Sequence, residues 1–176
     1  MNMQNQHLAI AKNIRCLVCD VDGVLTDGQL YFDAHGEHLK AFNVQDGMGL
    51  TLLMQAKVHV AIISGRTSKA LEMRLKELSI KHIALGQNHK LDSFNELLKS
   101  TDLKASQVAY IGDDINDLCI LNRVGLSITV ANAPSMIKQQ TDCTTTRPGG
   151  HGAVREVCDA LLDAQGHWKR ILQDMA

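Results

Sequence analysis

The first apolar run of this chain ends in Asp20-Val21-Asp22-Gly23-Val24-Leu25-Thr26-Asp27. Carboxylates at i and i+2 can point to the same side of a strand tip, where amides of the following turn are free to hold an anion. An Asx turn closing a strand would use the same residue types. A later apolar run ends in Gly112-Asp113-Asp114-Ile115-Asn116-Asp117. A cap for the next helix needs only one of these carboxylates, and the three repel one another. A divalent cation is the usual remedy. Asp20, Asp22 and Asp113 could converge on one if their strands are neighbours. Magnesium suits such an oxygen set, because it accepts one or two carboxylates together with water and substrate phosphate.

Two further run ends complement these. Ser64-Gly65-Arg66 offers a hydroxyl and free amides where a helix begins, an arrangement that binds phosphate and also occurs as a plain turn. Lys90 opens a helix, an awkward place for a cation beside the positive helix end unless an anion lies between it and Ser64. The combination has a chemical logic. Phosphate monoester hydrolysis is among the slowest uncatalysed reactions known. A carboxylate attacking an anionic phosphoryl group needs its charge neutralised, which magnesium and lysine would supply. A second carboxylate two residues on can protonate the leaving oxygen and later activate water.

Such residues need a sheet to bring them together. Short apolar runs rich in β-branched residues alternate with segments of helical period, which predicts an α/β fold with a doubly wound, mainly parallel, Rossmann-like sheet. Its ligands would bind at the carboxyl ends of the strands. Strands are expected at 16–20, 58–64, 82–85, 108–112 and 126–130, with a short one near 143–146. Helices are expected at 47–57, 67–78, 90–100, 116–123, 134–140 and 152–164. In the last, Val154, Val157, Cys158, Leu161 and Leu162 make one apolar stripe. Two arms, 29–33 and 37–43, about Ala34-His35-Gly36 read as an inserted β-hairpin. The stretch from Asp22 to Ser64 is used up by that hairpin, one helix and one strand, and that from Ser64 to Lys90 by one helix and one strand. Neither leaves room for a cap domain. Gly149-Gly150-His151-Gly152 reads as a flexible loop, and the tail from 166 onward, lacking a stripe, as loose.

Composition narrows the class. The chain has 176 residues, 45% apolar and 21% charged, which fits a single soluble domain spanning 1–176. A net charge of −1 argues against a nucleic-acid binder. No apolar run approaches the ~20 residues of a membrane-spanning helix, and residues 1–14 lack the pattern of a secretory signal, so a cytoplasmic address is expected. The five cysteines are odd in number and scattered, unlike a disulfide framework. Cys16 and Cys19 read as buried strand thiols rather than zinc or redox ligands. No cysteine has an arginine six residues later, which excludes a cysteine-phosphatase mechanism.

The four motifs Asp20-x-Asp22-Gly-Val-Leu-Thr-Asp27, Ser64-Gly-Arg66, Lys90 and Gly112-Asp113-Asp114-x-x-Asp117 resemble, in order, those of the haloacid dehalogenase superfamily. Lys40-Ala-Phe-Asn-Val-Gln-Asp46-Gly47 and the segment from Pro148 to Cys158 are similar to a branch of it that dephosphorylates an eight-carbon keto-deoxy sugar acid for lipopolysaccharide precursor synthesis. The resemblance spans residues 15–167. It implies that Asp20 is the nucleophile, forming an aspartyl-phosphate, and that Asp22 is general acid and base. It further implies magnesium held by Asp20, Asp113 and the backbone carbonyl of Asp22, with Asp114 and Asp117 behind them. Ser64, Gly65 and Lys90 would hold phosphate. Thr26, Gln45, Asp46, Arg66 and Arg147 would contact the sugar acid, Arg66 by gripping its carboxylate. Gln45 and His151 stand where many relatives carry arginine. Such relatives are tetramers centred on the hairpin, so a homotetramer is expected, with Arg147 and the Gly149-Gly150 loop reaching a neighbour's site. Three alternatives remain: a phosphatase of a nine-carbon sugar acid 9-phosphate, a phospho-acceptor domain without turnover, and a non-catalytic binding subunit that retains the fold.

Overall fold

The computed structural model describes residues 4–174. Six strands form one parallel sheet: β1 (Cys16–Cys19), β4 (His59–Ile63), β5 (His82–Ala84), β6 (Val108–Ile111), β7 (Leu126–Thr129) and β8 (Cys143–Thr144). Their order is β5-β4-β1-β6-β7-β8. β1, β6 and β7 are buried along their whole length, which is why they read as unbroken apolar runs rather than as alternating ones.

The chain leaves β1 towards β4 and β5, then crosses back to β6 and proceeds the other way to β7 and β8. Right-handed crossovers place the connecting helices on opposite faces for the two directions. α7 (Ala153–Ala164) packs on both α2 (Val44–Gln55) and α1 (Asn5–Ala11), while α4 (Lys90–Thr101) packs with α5 (Leu118–Leu121). The direction reverses between β1 and β6, which pair from Cys16↔Val108 to Cys19↔Ile111. Just beyond, Asp20 N–H donates to the Ile111 carbonyl at 3.0 Å and Gly112 N–H to the Ile128 carbonyl at 3.2 Å. The two strand tips therefore stop side by side at the topological switch point, where open α/β sheets bind ligands.

The apolar stripe of α7 is buried in full. It lies so close to α2 that a Cβ on Gly49 would meet Cys158 Cβ at 3.0 Å. Between β1 and α2, the strands β2 (Tyr31–Asp33) and β3 (Gly36–Leu39) form a separate antiparallel hairpin, shorter than its sequence suggested. It exposes Leu30, Tyr31, Phe32 and Leu39.

The differences from the expected elements have local causes. α2 begins at Val44, earlier than expected, because the Asn43 side chain accepts from Gln45 N–H at 2.8 Å and caps it. α3 (Lys69–Glu77) begins later, where the Ser68 hydroxyl accepts from Leu71 N–H. α5 is shorter because the preceding residues Ile115–Asp117 wind into a 3-10 turn. α6 (Ser135–Lys138) follows Pro134, which starts rather than joins it. α1 was hidden by its Gln- and Asn-rich sequence, yet it buries Ala11 and His7. The tail described as loose instead forms α8 (Trp168–Asp174), where Trp168 and Ile171 pack on the core; residues 175–176 lie outside the described residues. The 149–152 loop is packed rather than flexible: Gly149 N–H donates to Asn132 Oδ1 and Gly150 N–H to the Val24 carbonyl, both at 2.9 Å. All five cysteines are free. Burial pushes Cys16 up to about 12 and Cys19 well above its ordinary value, so these thiols pack rather than react.

Leu161, fully buried on the stripe of α7, tests the α2–α7 layer. Leu161→Ala is expected to lower unfolding free energy by roughly 2–5 kcal/mol, as measured by urea denaturation, with the circular dichroism of the folded state unchanged.

Candidate active site

β1 delivers Asp20 to the carboxyl edge of the sheet, where its side chain keeps only a narrow opening to solvent. β6 delivers Asp113, and the turn Ile115–Asp117 brings Asp117 back beneath it. One oxygen from each of Asp20, Asp113 and Asp117 lies within 4.8 Å of the other two. Asp117 is fully buried and collects four donors. Its Oδ1 accepts from Lys90 Nζ at 2.7 Å and from Tyr110 OH at 2.6 Å. Its Oδ2 accepts from the amides of Asp113 at 3.0 Å and Asp114 at 3.2 Å. Glycines leave room for the carboxylates: a Cβ on Gly112 would come within 2.5 Å of Asp117 Cγ. A Cβ on Gly23, whose φ is +86°, would come within 2.1 Å of Asp113 Oδ2.

Lys90 Nζ also lies 2.9 Å from Asp20 Oδ1. Burial alone would lower the lysine pKa, but Asp20 and Asp117 outweigh it and hold it above the ordinary value. The anions that reconcile Lys90 with its place at the start of α4 are thus carboxylates of the protein itself. Asp20 is pushed up to about 6, first by burial and then by the charge of Asp117, with Lys90 opposing. Asp113 is pushed up to about 7 by burial and by Asp20, Asp117 and Asp114. These are the marks of a crowded anionic cluster with too little positive charge. Its donors are all hard oxygens, a set that fits magnesium or a similar hard divalent cation.

Asp22 faces another way. Its carboxylate pairs with Lys40 Nζ through Oδ1, while Arg66 Nε lies 3.7 Å from Oδ2. Ser64 is buried, and its hydroxyl accepts from Arg66 N–H at 3.3 Å. Asp20, Asp22, Ser64, Gly65, Arg66, Lys90 and Asp113 line one cleft of about 250 Å³. The arrangement can receive an anion next to a buried carboxylate, with a second, more open carboxylate at its side.

Five other expected site residues stand at the border of this chain's own cleft or outside it. Asp114 borders the cleft, but its carboxylate accepts from Ile115 N–H at 2.7 Å and caps the turn. The Thr26 hydroxyl ties the loop beneath the cleft, accepting from Gly23 and Gly28 N–H, each at 3.3 Å, and donating to the Val21 carbonyl at 3.4 Å. Gln45 and Arg147 lie outside the cleft, bonded to each other at 3.1 Å in an open groove of about 720 Å³ with Arg155, Glu156 and Trp168. Asp46 is buried at the start of α7 and accepts from Arg155 N–H at 2.7 Å. The 149–150 loop packs on residues 23–27 of its own chain. Sequence reasoning gave no role to Lys40 or Tyr110. Lys40 opened a segment already singled out; Tyr110 carried no signal beyond being a tyrosine in a buried strand.

The chain is similar to characterised proteins over most of its length. The profile of the haloacid dehalogenase-like hydrolases matches residues 82–156. The 3-deoxy-D-manno-octulosonate 8-phosphate phosphatase of Escherichia coli K12 is 48% identical over 159 residues, covering 90% of this chain and 85% of the relative. The chain belongs to the 3-deoxy-D-manno-octulosonate 8-phosphate phosphatase family of haloacid dehalogenase-like hydrolases. Two solved members of that family share its architecture. The Yersinia pestis phosphatase superimposes with a TM-score of 0.92 at 46% identity, covering 94% of this chain and 89% of that one. The Moraxella catarrhalis phosphatase, solved with magnesium, phosphate and a 3-deoxy-D-manno-octulosonate (KDO) molecule, gives 0.94 at 41% identity, covering 98% and 99%.

The crowding predicts a pH-dependent response to divalent cations. Folded Asp20 and Asp113 keep their protons to about 6 and about 7, against an ordinary value of 3.8. The unfolded chain releases those protons first, so metal-free stability falls as pH rises from about 4 to about 7. A cation binds the ionised form and offsets that loss. Magnesium should therefore raise the melting temperature, relative to chelator, more at pH 8 than at pH 5.5. A larger gain at pH 5.5 would contradict this account of the cluster.

Proposed function

We propose that the chain is a magnesium-dependent phosphatase that hydrolyses 3-deoxy-D-manno-octulosonate 8-phosphate to the free sugar acid and phosphate, in lipopolysaccharide precursor synthesis. The observation that carries this reading is the meeting of Asp20, Asp113, Asp117 and Lys90 at the switch point, with Asp22 at the same cleft. The family supplies the substrate. Asp20, Asp113 and the Asp22 carbonyl would hold magnesium, which when bound neutralises charge on the phosphoryl group. The whole of 1–176 would act as one catalytic domain without a cap.

The roles follow from the surroundings of each side chain. Lys90, held cationic by Asp20 and Asp117, draws the phosphate to Asp20. The Ser64 hydroxyl and the Gly65 amide would take its other oxygens. An Asp20 carboxylate oxygen attacks phosphorus while the bond to the sugar oxygen breaks, giving an aspartyl-phosphate. Asp22, protonated at the start of the cycle, donates its proton to the leaving oxygen, and Lys40 steadies the carboxylate that results. Asp22 then takes a proton from water, the water oxygen attacks phosphorus, and the bond to Asp20 breaks. Arg66, with its exposed guanidinium at the rim of the cleft, would grip the substrate carboxylate.

The same reading makes the chain a cytoplasmic homotetramer. Five free thiols suit a reducing compartment, and no described helix is long and apolar enough to cross a membrane. A lone two-stranded hairpin is marginal in water, and this one exposes Leu30, Tyr31, Phe32 and Leu39. Association of hairpins around a common axis would cover these residues.

Turnover of the eight-carbon 8-phosphate and the nine-carbon 9-phosphate, with magnesium and with chelator, tests the assignment. The eight-carbon substrate should be preferred and chelator should stop the reaction; equal or better use of the nine-carbon compound would sink the choice of sugar acid. Asp20→Asn should abolish turnover with the fold intact, and Asp22→Asn should slow hydrolysis of an alkyl phosphate roughly 10²–10⁴-fold. A stable phosphoprotein without turnover in the wild type would instead mark a phospho-acceptor domain. Light scattering should report a tetramer, and Phe32→Asp should break it into smaller species.

A further inference from the structure

Asp46 does not line the cleft of its own chain, yet it is almost wholly buried, a costly position for a carboxylate. Its surroundings show what it is for. It sits in the first turn of α2 and points at the first turn of α7, so the positive ends of two helices converge on one negative charge. α7 cannot cap itself: its N-cap is Gly152, at φ +97°, with no side chain to offer. Asp46 Oδ1 accepts from Arg155 N–H at 2.7 Å, and the amides of Gly152 and Val154 also face the carboxylate. Its Oδ2 makes no hydrogen bond to any described residue. Asp46 thus caps a helix that belongs to a distant part of the chain.

What α7 carries at that end is the Gly149–Gly152 loop. A Cβ on Gly149 would fall 1.7 Å from the Gly23 carbonyl oxygen, and one on Gly150 would fall 2.4 Å from Asp27 N. Gly150 N–H donates to the Val24 carbonyl at 2.9 Å, and Asn43, which caps α2, donates from Nδ2 to the Gly150 carbonyl at 3.4 Å. On its other side, Gly23 abuts the Asp113 carboxylate. The turn following Asp22 is therefore clamped between Asp113 and a loop whose anchor is Asp46.

We propose that Asp46 is a positioning residue for the loop that carries Asp22: by fixing the start of α7 it holds Gly149–Gly150 against Gly23–Asp27 and so sets where the Asp22 carboxylate stands. This rests on the reading of Asp22 as general acid given above. A displaced general acid matters where the leaving group needs a proton. It matters little where the leaving group is already a stable anion.

The test compares kcat/KM, which reports steps up to cleavage of the phosphate ester, on two substrates. One is the sugar 8-phosphate, with an alkoxide leaving group; the other is p-nitrophenyl phosphate. Asp46→Asn and Asp46→Ala should lose roughly 10–100-fold on the sugar phosphate and no more than about threefold on the aryl ester. Gly150→Ala disturbs the same clamp from the other end and should give the same selective loss. A purely structural role would lower both substrates together, through the fraction of folded enzyme. Equal losses, or no loss in folded variants, would overturn the proposal. Absence of wild-type activity on either substrate would instead overturn the phosphatase reading.

Discussion

The constraint on which this structure depends is repulsion among carboxylates forced into a small buried space. Asp20, Asp113 and Asp117 come from two strands that must be neighbours, and their oxygens lie closer together than ionised groups tolerate in a dry environment. Much of the local architecture answers that problem. Lys90 is placed at a helix start where a cation would otherwise be disfavoured. Tyr110 and the amides of Asp113 and Asp114 all point at the deepest carboxylate. Gly23 and Gly112 give up side chains so that the acids can approach. The residual negative charge is what a divalent cation and a phosphoryl group, with their opposite needs, can exploit together.

A site built at strand tips is open by construction, and this chain lacks an inserted domain between β1 and β5 to close it. Order comes from beneath. The turn after β1 is stitched by the Thr26 hydroxyl, pressed by Gly149–Gly150 and bounded by Asp113. Each of these contacts is a backbone approach that only glycine or a short side chain permits. On the proposed role of Asp22, its placement depends on α2 and α7 packing correctly, which ties the fully buried stripe of α7 to the cleft.

The strand tips were legible in the sequence because a parallel sheet buried on both faces turns each strand into an apolar run, and the first polar residues after it stand at the ligand-binding edge. Asp20, Asp22, Ser64, Lys90 and Asp113 were read that way, and the structure brings them into one cleft. What sequence could not rank was depth. Asp114 and Asp117 looked alike as text, but the 3-10 turn sends Asp117 inward to four donors and leaves Asp114 as its cap. Gln45, Asp46 and Arg147 were assigned by family likeness alone, and the packing of α2 on α7, which sets Asp46 against the start of α7, is encoded in no local pattern. α1 and α8 escaped notice because each buries too few residues to leave a stripe.

In the roles proposed for them, the two aspartates of the first motif divide labour across two residues of spacing. Asp20 lies in the buried cluster, bonded to a lysine and crowded by other carboxylates, an environment that suits a group meant to hold a cation and meet phosphorus. Asp22 is only partly buried and paired with Lys40 in the same cleft, where protons can be exchanged with water. Identical side chains thus acquire different chemistry from the charges each one faces, which is the general way a single fold performs attack and proton transfer within one cleft.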